Sequence, residues 1–353
     1  MIEPGTAETD TRWPSLPPWL EEPLVRLLAQ RARLPQALLL TGAAGIGKQA
    51  LALQLAAAML CERPRSDGRA CAECTSCVLA MRGTHPDLRR IEPITFDEDG
   101  VPTAQDTIGV DMIRDLIDWS QLSSHRGGAK VAVIAPADLL NPAAANALLK
   151  TLEEPSGRTA FVLVSARPDA LPPTVQSRCA RIALPTPGHD AAKRWLDAQG
   201  VDDAPRRLSE AGGAPLKALA LARSPSAALR IGLLDELARP ERLSPVAVGA
   251  RIDQAGKDER RQALADVLYA LSTWTADLAA VASGGSARFH ADRSEALGAL
   301  ARRVARVPLF RYHRALLQQR ALLLHPLQPR LVAESMLFGY RELFGREGGD
   351  LRR

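Results

Sequence analysis

The chain has 353 residues, 46% of them apolar and 4% aromatic, with a formal net charge of +5. That is enough for two or three domains with sizeable cores, and the abundance of Ala, Leu and Arg favours helix. No apolar run approaches the ~18 residues that span a bilayer, and the charge is too small to establish a nucleic-acid partner by itself.

Residues 1–10 are polar and acidic and lack the basic start and apolar core of a secretory leader, so a cytoplasmic chain with a disordered N-terminal tail is expected. Residues 13–34 read as an entry segment and one helix, with Leu24, Leu27 and Leu28 at helical spacing. The apolar run 37–40 reads as a buried parallel strand. It leads into Gly42-Ala43-Ala44-Gly45-Ile46-Gly47-Lys48-Gln49, and helix-forming residues 50–60 follow. Strand, glycine-rich turn and helix is the setting of a phosphate-binding P-loop, which makes Gly42, Gly45, Gly47 and Lys48 the candidate nucleotide-binding residues. The loop is incomplete. A working one ends in Lys-Ser or Lys-Thr, whose hydroxyl holds magnesium, and here that position is Gln49. No magnesium site is expected and ATP binding is expected to be degenerate, although backbone amides and Lys48 could still hold a phosphate.

Four of the five cysteines, Cys61, Cys71, Cys74 and Cys77, fall within residues 61–77. In a cytosolic chain such clustering argues for metal over disulfides. Four thiolates suit a closed tetrahedral zinc site, structural rather than catalytic, with no position left for water. The competing reading, buried free cysteines, conflicts with the polar residues 63–69 between them. His85 reads as a turn residue, since four sulfurs complete the shell.

Residues 97–106 read as an acidic surface loop, and 110–122 as a helix with Ile113, Leu116 and Ile117 on one face. A second buried strand is expected over 130–135. In a P-loop ATPase this strand ends in Asp-Glu, supporting magnesium and the attacking water; here those positions are Ala135 and Pro136. Asp138 comes too late and reads as a turn opener. Asn141-Pro142 starts a helix in the favoured way. At its end Glu153 and Glu154 project ~100° apart and read as solvated charges, not as a catalytic pair. A third strand over 160–165 precedes Ser177-Arg178-Cys179.

Thr84-His85-Pro86-Asp87, the run AANALLKTLEEP at 144–155, and Ser177-Arg178-Cys179 resemble the clamp-loader subunits of bacterial DNA polymerase III, which belong to the AAA+ class. The resemblance runs over about residues 13–185 and includes the cysteine module. It implies an α/β P-loop (AAA+) domain at 1–185 with a zinc module at about 61–87. A helical lid at 186–225 and an all-α collar at 226–353 would follow, with Pro185-Thr186-Pro187 and Ser224-Pro225 as boundaries. In the family's ATPase subunits, gamma and tau, the loop and the acidic strand end are intact. The sensor residue of those subunits falls here at Ala166, and the arginine of their second domain at Leu216.

Four altered elements imply a non-hydrolysing scaffold member of a heteropentameric loader, itself part of a DNA-directed DNA polymerase holoenzyme. The resemblance makes Arg178 an arginine finger acting in trans on ATP held by a neighbouring ATPase subunit. The implied partners are gamma/tau and delta subunits and, through the assembly, the sliding clamp and primed DNA. An active ATPase that tolerates Gln49, and a zinc-dependent DNA-binding protein, are the competing functions; for Arg178 the competing role is a surface salt bridge. Cys179 reads as a packing residue. The arginines at 302, 303, 306, 311, 314 and 320 read as a solvated helical face before they read as phosphate contacts. Trp274, Leu316 and Leu323 read as core.

Overall fold

The strand Ala37–Thr41 (β1) is buried at every residue. Its side chains alternate between two cores, with Leu38 and Leu40 in one and Ala37 and Leu39 in the other. A strand that is apolar on both faces belongs in the middle of a covered parallel sheet. The computed structural model, which describes residues 15–96, 102–256, 259–319 and 328–345, places it there. The acidic residues 1–10, part of the 97–106 loop, Arg320 and Leu323 lie outside the described residues. The chain divides into two compact units, Met1–Pro187 and Gly188–Arg353.

In chain order the first unit contains α1 (Glu21–Ala29), β1, α2 (Lys48–Leu60), α3 (Thr75–Met81), β2 (Leu88–Ile91), β3 (Ile94–Phe96) and β4 (Pro102–Ala104). There follow α4 (Val110–Gln121), β5 (Lys130–Ile134), α5 (Pro142–Glu153), β6 (Thr159–Ser165), α6 (Pro173–Gln176) and β7 (Ala180–Ala183). Five strands form one sheet in the order β2-β5-β6-β1-β7, with every pairing parallel. Helices α1 and α2 cover one face and α4 and α5 the other. The central strands β5 and β6 are buried throughout, whereas β2 and β7 at the two edges expose alternate or middle residues.

Helix α5 starts where Asn141 accepts a hydrogen bond from the Ala144 amide at 2.8 Å, with Pro142 in the first turn. It buries Ala144, Ala145, Leu148 and Leu152. Truncating such a core leucine costs about 2–5 kcal/mol, against about 1 kcal/mol for losing the cap. Core packing of α5 therefore outweighs its cap. Within the stretch 97–106 that was expected to be a loop, residues 102–104 form β4, which pairs antiparallel with β3 just before that stretch, with Ile94 opposite Ala104. Three-residue strands are too short to show an alternation that a sequence reading can detect.

The second unit is helical among its described residues. Helices α7 (His189–Ala198), α8 (Ala204–Glu210) and α9 (Pro215–Arg223) enclose a small core of Ala192, Leu196, Leu208 and Ala218. Six further helices follow: α10 (Ala227–Leu237), α11 (Pro245–Gln254), α12 (Glu259–Ala282), α13 (Ser294–Ala301), α14 (Arg306–Gln318) and α15 (Pro329–Glu342). They pack around α12, whose Trp274 is fully buried, as is Leu316. The two groups of helices are joined through a buried ion pair. Arg230 Nη1 donates to Glu210 Oε2 at 2.8 Å, with side chains 1% and 2% exposed. Tyr269 Oη also donates to the Glu210 carbonyl at 2.7 Å. No described helix is long and apolar enough to cross a membrane.

Candidate nucleotide and metal sites

The loop after β1 keeps P-loop geometry. Gly47 has a φ of 96°, which suits glycine at the entry of α2. A Cβ on Gly42 would come within 2.9 Å of the Leu184 carbonyl oxygen, so only glycine fits against the end of β7. Trp19 Nε1 holds the loop from outside by donating to the Ile46 carbonyl at 2.8 Å. Lys48 is buried, and its ammonium donates to the carbonyls of Gly42 at 3.0 Å and Ala43 at 2.7 Å. An ammonium has three protons, so one remains for a phosphate.

The residues that would manage magnesium are absent or redirected. Gln49 donates through Nε2 to Glu92 Oε1 at 2.8 Å, and Arg90 holds the same carboxylate at 2.8 Å. Strand β5 ends in Ile134, followed by Ala135 and Pro136, so no carboxylate stands at the two positions beside the loop. Asp138 was expected merely to open a turn. Its side chain is 6% exposed and forms the centre of a network. Ser165 Oγ donates to it at 2.9 Å, the Ala166 amide at 3.1 Å and Arg167 Nε at 3.1 Å. Burial pushes the Asp138 carboxyl upward, but these donors outweigh it and hold the group below the usual carboxylate range. Burial also lowers the Lys48 ammonium, and the nearby Asp138 charge partly offsets that.

Ser165 ends β6 opposite Thr41 of β1, so Asp138 sits at the carboxyl ends of adjacent strands, where open α/β sheets bind ligands. Sequence reasoning missed this because the partners of Asp138 lie 27 to 29 positions away. Leu216 is half-buried in the first turn of α9, in the second unit.

Arg178 follows α6. Its Nε and Nη2 both donate to Glu153 Oε2, at 3.2 and 3.1 Å, and Nη1 donates to the Thr174 carbonyl at 3.0 Å. The chain therefore supplies the salt bridge that competes with the finger role; Glu153 is 59% exposed, a solvated charge as expected, and also a partner of Arg178. Neighbouring Cys179 is buried, and burial pushes its thiol up to about 11, as befits packing.

The four clustered cysteines converge. Their Sγ atoms all lie within 4.8 Å of one another, with Cys61–Cys74 and Cys71–Cys77 each at 3.9 Å. Tetrahedral zinc with bonds of 2.3 Å requires sulfurs about 3.8 Å apart, so the cluster fits the ion. Cys61 lies at the end of α2 and Cys74 at the start of α3, which fixes the spacing through two helix ends. Amides support the sulfurs: Cys71 N donates to Cys61 Sγ and Cys74 N to Cys71 Sγ, both at 3.3 Å. Backbone donors pull the Cys71 thiol down to about 6, while burial raises Cys61 and Cys77. Such a cluster holds zinc as a structural ion.

His85 lies outside the cluster. Its Nδ1 accepts from the Asp87 amide at 3.0 Å, and its ring is buried. Asp87 accepts from Ser124 Oγ and from the amides of His125 and Arg126, at 2.9 to 3.1 Å. Arg126 also reaches Glu62, next to Cys61, at 2.6 Å, which ties the module to the loop before β5. In the second unit, the arginines at 302, 303, 306, 311 and 314 are exposed, and Arg303 pairs with Glu241.

Residues 21–188 match the profile of a family described as "DNA polymerase III, delta subunit". The chain is 44% identical to a DNA polymerase III subunit delta' of Pseudomonas aeruginosa over 206 residues, 57% of this chain and 60% of that protein. It is 37% identical to a subunit delta' of Yersinia pestis over 273 residues, 73% of this chain and 76% of that one. A DNA polymerase III subunit tau of Salmonella typhimurium is 35% identical over 152 residues, 43% of this chain and 22% of that protein. The first of these alignments thus spans less than two thirds of the relative's length.

Proposed function

The chain belongs to the bacterial DNA polymerase III delta' subunit family, and on that premise we propose that it is a clamp-loader subunit that does not itself hydrolyse ATP. One observation carries the reading. The P-loop frame persists while the magnesium positions hold Gln49, bonded to Glu92, and Ala135 and Pro136. Without a metal ligand or a carboxylate to orient water, phosphoryl transfer lacks its main sources of rate.

In this reading Gly42, Gly45, Gly47 and Lys48 are a relic nucleotide site, and Cys61, Cys71, Cys74 and Cys77 hold the zinc that staples the module. Arg178 is the arginine finger presented to ATP on a neighbouring gamma/tau subunit. A guanidinium is always charged and can meet two phosphate oxygens as negative charge redistributes. The domain at 1–185, the lid at 186–225 and the collar at 226–353 serve as scaffold. Gamma/tau and delta subunits are the partners, and the sliding clamp and primed DNA are reached through the assembly.

The test is ATP turnover by the purified chain alone, then by the complete assembly in which only the nucleotide site facing Arg178 is competent. No turnover is expected alone. In the assembly, Arg178→Ala should lower turnover by about a hundredfold or more. Sustained turnover by the chain alone that Lys48→Ala abolishes would make it an ATPase, and the scaffold reading would be wrong.

A further inference from the structure

We infer that Glu153 is a positioning residue for Arg178, presenting the guanidinium to an anionic ligand from another chain; this rests on the finger reading above. The geometry is specific. A guanidinium has five N–H donors. Glu153 Oε2 takes Nε and one proton of Nη2, and the Thr174 carbonyl takes one proton of Nη1. Two protons remain, one on each Nη, for the oxygens of a phosphate. The carboxylate thus engages the Nε–Nη2 edge of the group and leaves one proton on each Nη for another anion. The Arg178 side chain is 30% exposed, so it is partly open to solvent.

The pair is set by packing, not by chance encounter of two long side chains. Glu153 adjoins Leu152, which is 3% exposed, and Arg178 adjoins Cys179, which is 9% exposed. Leu152, Val175 and Cys179 belong to one core cluster. The end of α5 and the turn after α6 are therefore anchored in the same core, and each projects its charged side chain toward the other. An exposed ion pair of this kind contributes little to fold stability. Its effect is to remove rotamer freedom from an arginine that would otherwise sample many positions. The Glu-Glu-Pro stretch at 153–155 thereby acquires a role distinct from capping: it orients a residue 25 positions further on.

The experiment uses the complete assembly with only the site facing Arg178 competent, and compares wild type with Glu153→Ala, Glu153→Gln, Arg178→Ala and the Glu153→Ala/Arg178→Ala double variant. Glu153→Ala should lower kcat roughly tenfold with KM for ATP and the melting temperature unchanged, because misplacing a reacting group costs rate without costing binding. Glu153→Gln retains a side-chain oxygen acceptor and should restore most of the rate. The double variant should be no slower than Arg178→Ala. An unchanged or raised kcat in Glu153→Ala, or a further loss in the double variant, overturns the positioning role while leaving the finger intact. If Arg178→Ala itself has no effect, the finger reading fails first and the role of Glu153 fails with it.

Discussion

Asp87 shows how a single side chain can organise a junction. Its carboxylate accepts three hydrogen bonds, two of them from backbone amides of the turn before β5. Burial pushes its pKa up, but the donors from His125, Arg126 and Ser124 more than reverse this, and the folded value lies below the ordinary one. A depressed carboxylate stabilises the fold above its unfolded pKa of about 3.9 and loses that contribution as pH falls through the folded value. Asp87→Asn should cost roughly 2–3 kcal/mol at neutral pH, because its amide nitrogen would face an N–H donor. Urea unfolding of both proteins across pH checks this: the gap should be full above pH ~4 and narrow below it. Nothing in the local sequence revealed this role, since the donors lie 37 to 39 positions away.

At the scale of elements, the zinc module is the part whose folding depends on chemistry other than apolar burial. Residues 62–70 between the first two cysteines are exposed or half-buried, and α3 has seven residues. Neither piece has enough apolar surface to hold itself, so the ion supplies the cross-link. Purified protein should contain one zinc per chain, read by metal analysis. Cys74→Ser should lower zinc content and the melting temperature while the far-ultraviolet circular dichroism of the helices persists.

The module was legible because ligand spacing is local, and β1, β5, β6 and α5 were legible because long apolar runs and caps are local too. The β3–β4 hairpin was not, being too short to show a period. Around the glycine-rich loop after β1 the glycines and the missing carboxylates could be read directly. The networks of Asp138 and of Arg178 with Glu153 could not, because they join residues brought together only by the sheet.

On the scale of the second unit, the pair Glu210–Arg230 is a buried link between α7 to α9 and the helices that follow. Glu210 also receives Arg206 and Arg207 at 3.2 Å each, so a 2% exposed carboxylate faces three guanidinium groups. Burial raises its pKa, and the arginines outweigh this and lower it. Breaking a buried pair by removing one partner costs about 3–5 kcal/mol, far more than an exposed pair. Arg230→Ala should therefore lower thermal stability strongly. Arg230→Met together with Glu210→Leu should recover part of it, because the buried carboxylate is removed with the buried guanidinium, while Arg206 and Arg207, 32% and 19% exposed, lose a partner but reach water. Calorimetry of the three proteins checks both statements, and equal melting of the single and double variants would show that the charge was not the cause.

The edges of the five-stranded sheet carry a further consequence. Strand β2 exposes Arg89 and Arg90 at one margin, and Arg181 lies on β7 at the other. An unpaired strand margin invites a second chain to add to it during synthesis, when many unfinished copies are present together. A cation on such a strand repels an identical strand and resists that addition. The arginines on the two margins of this sheet thus disfavour edge-to-edge addition of a second copy of the chain.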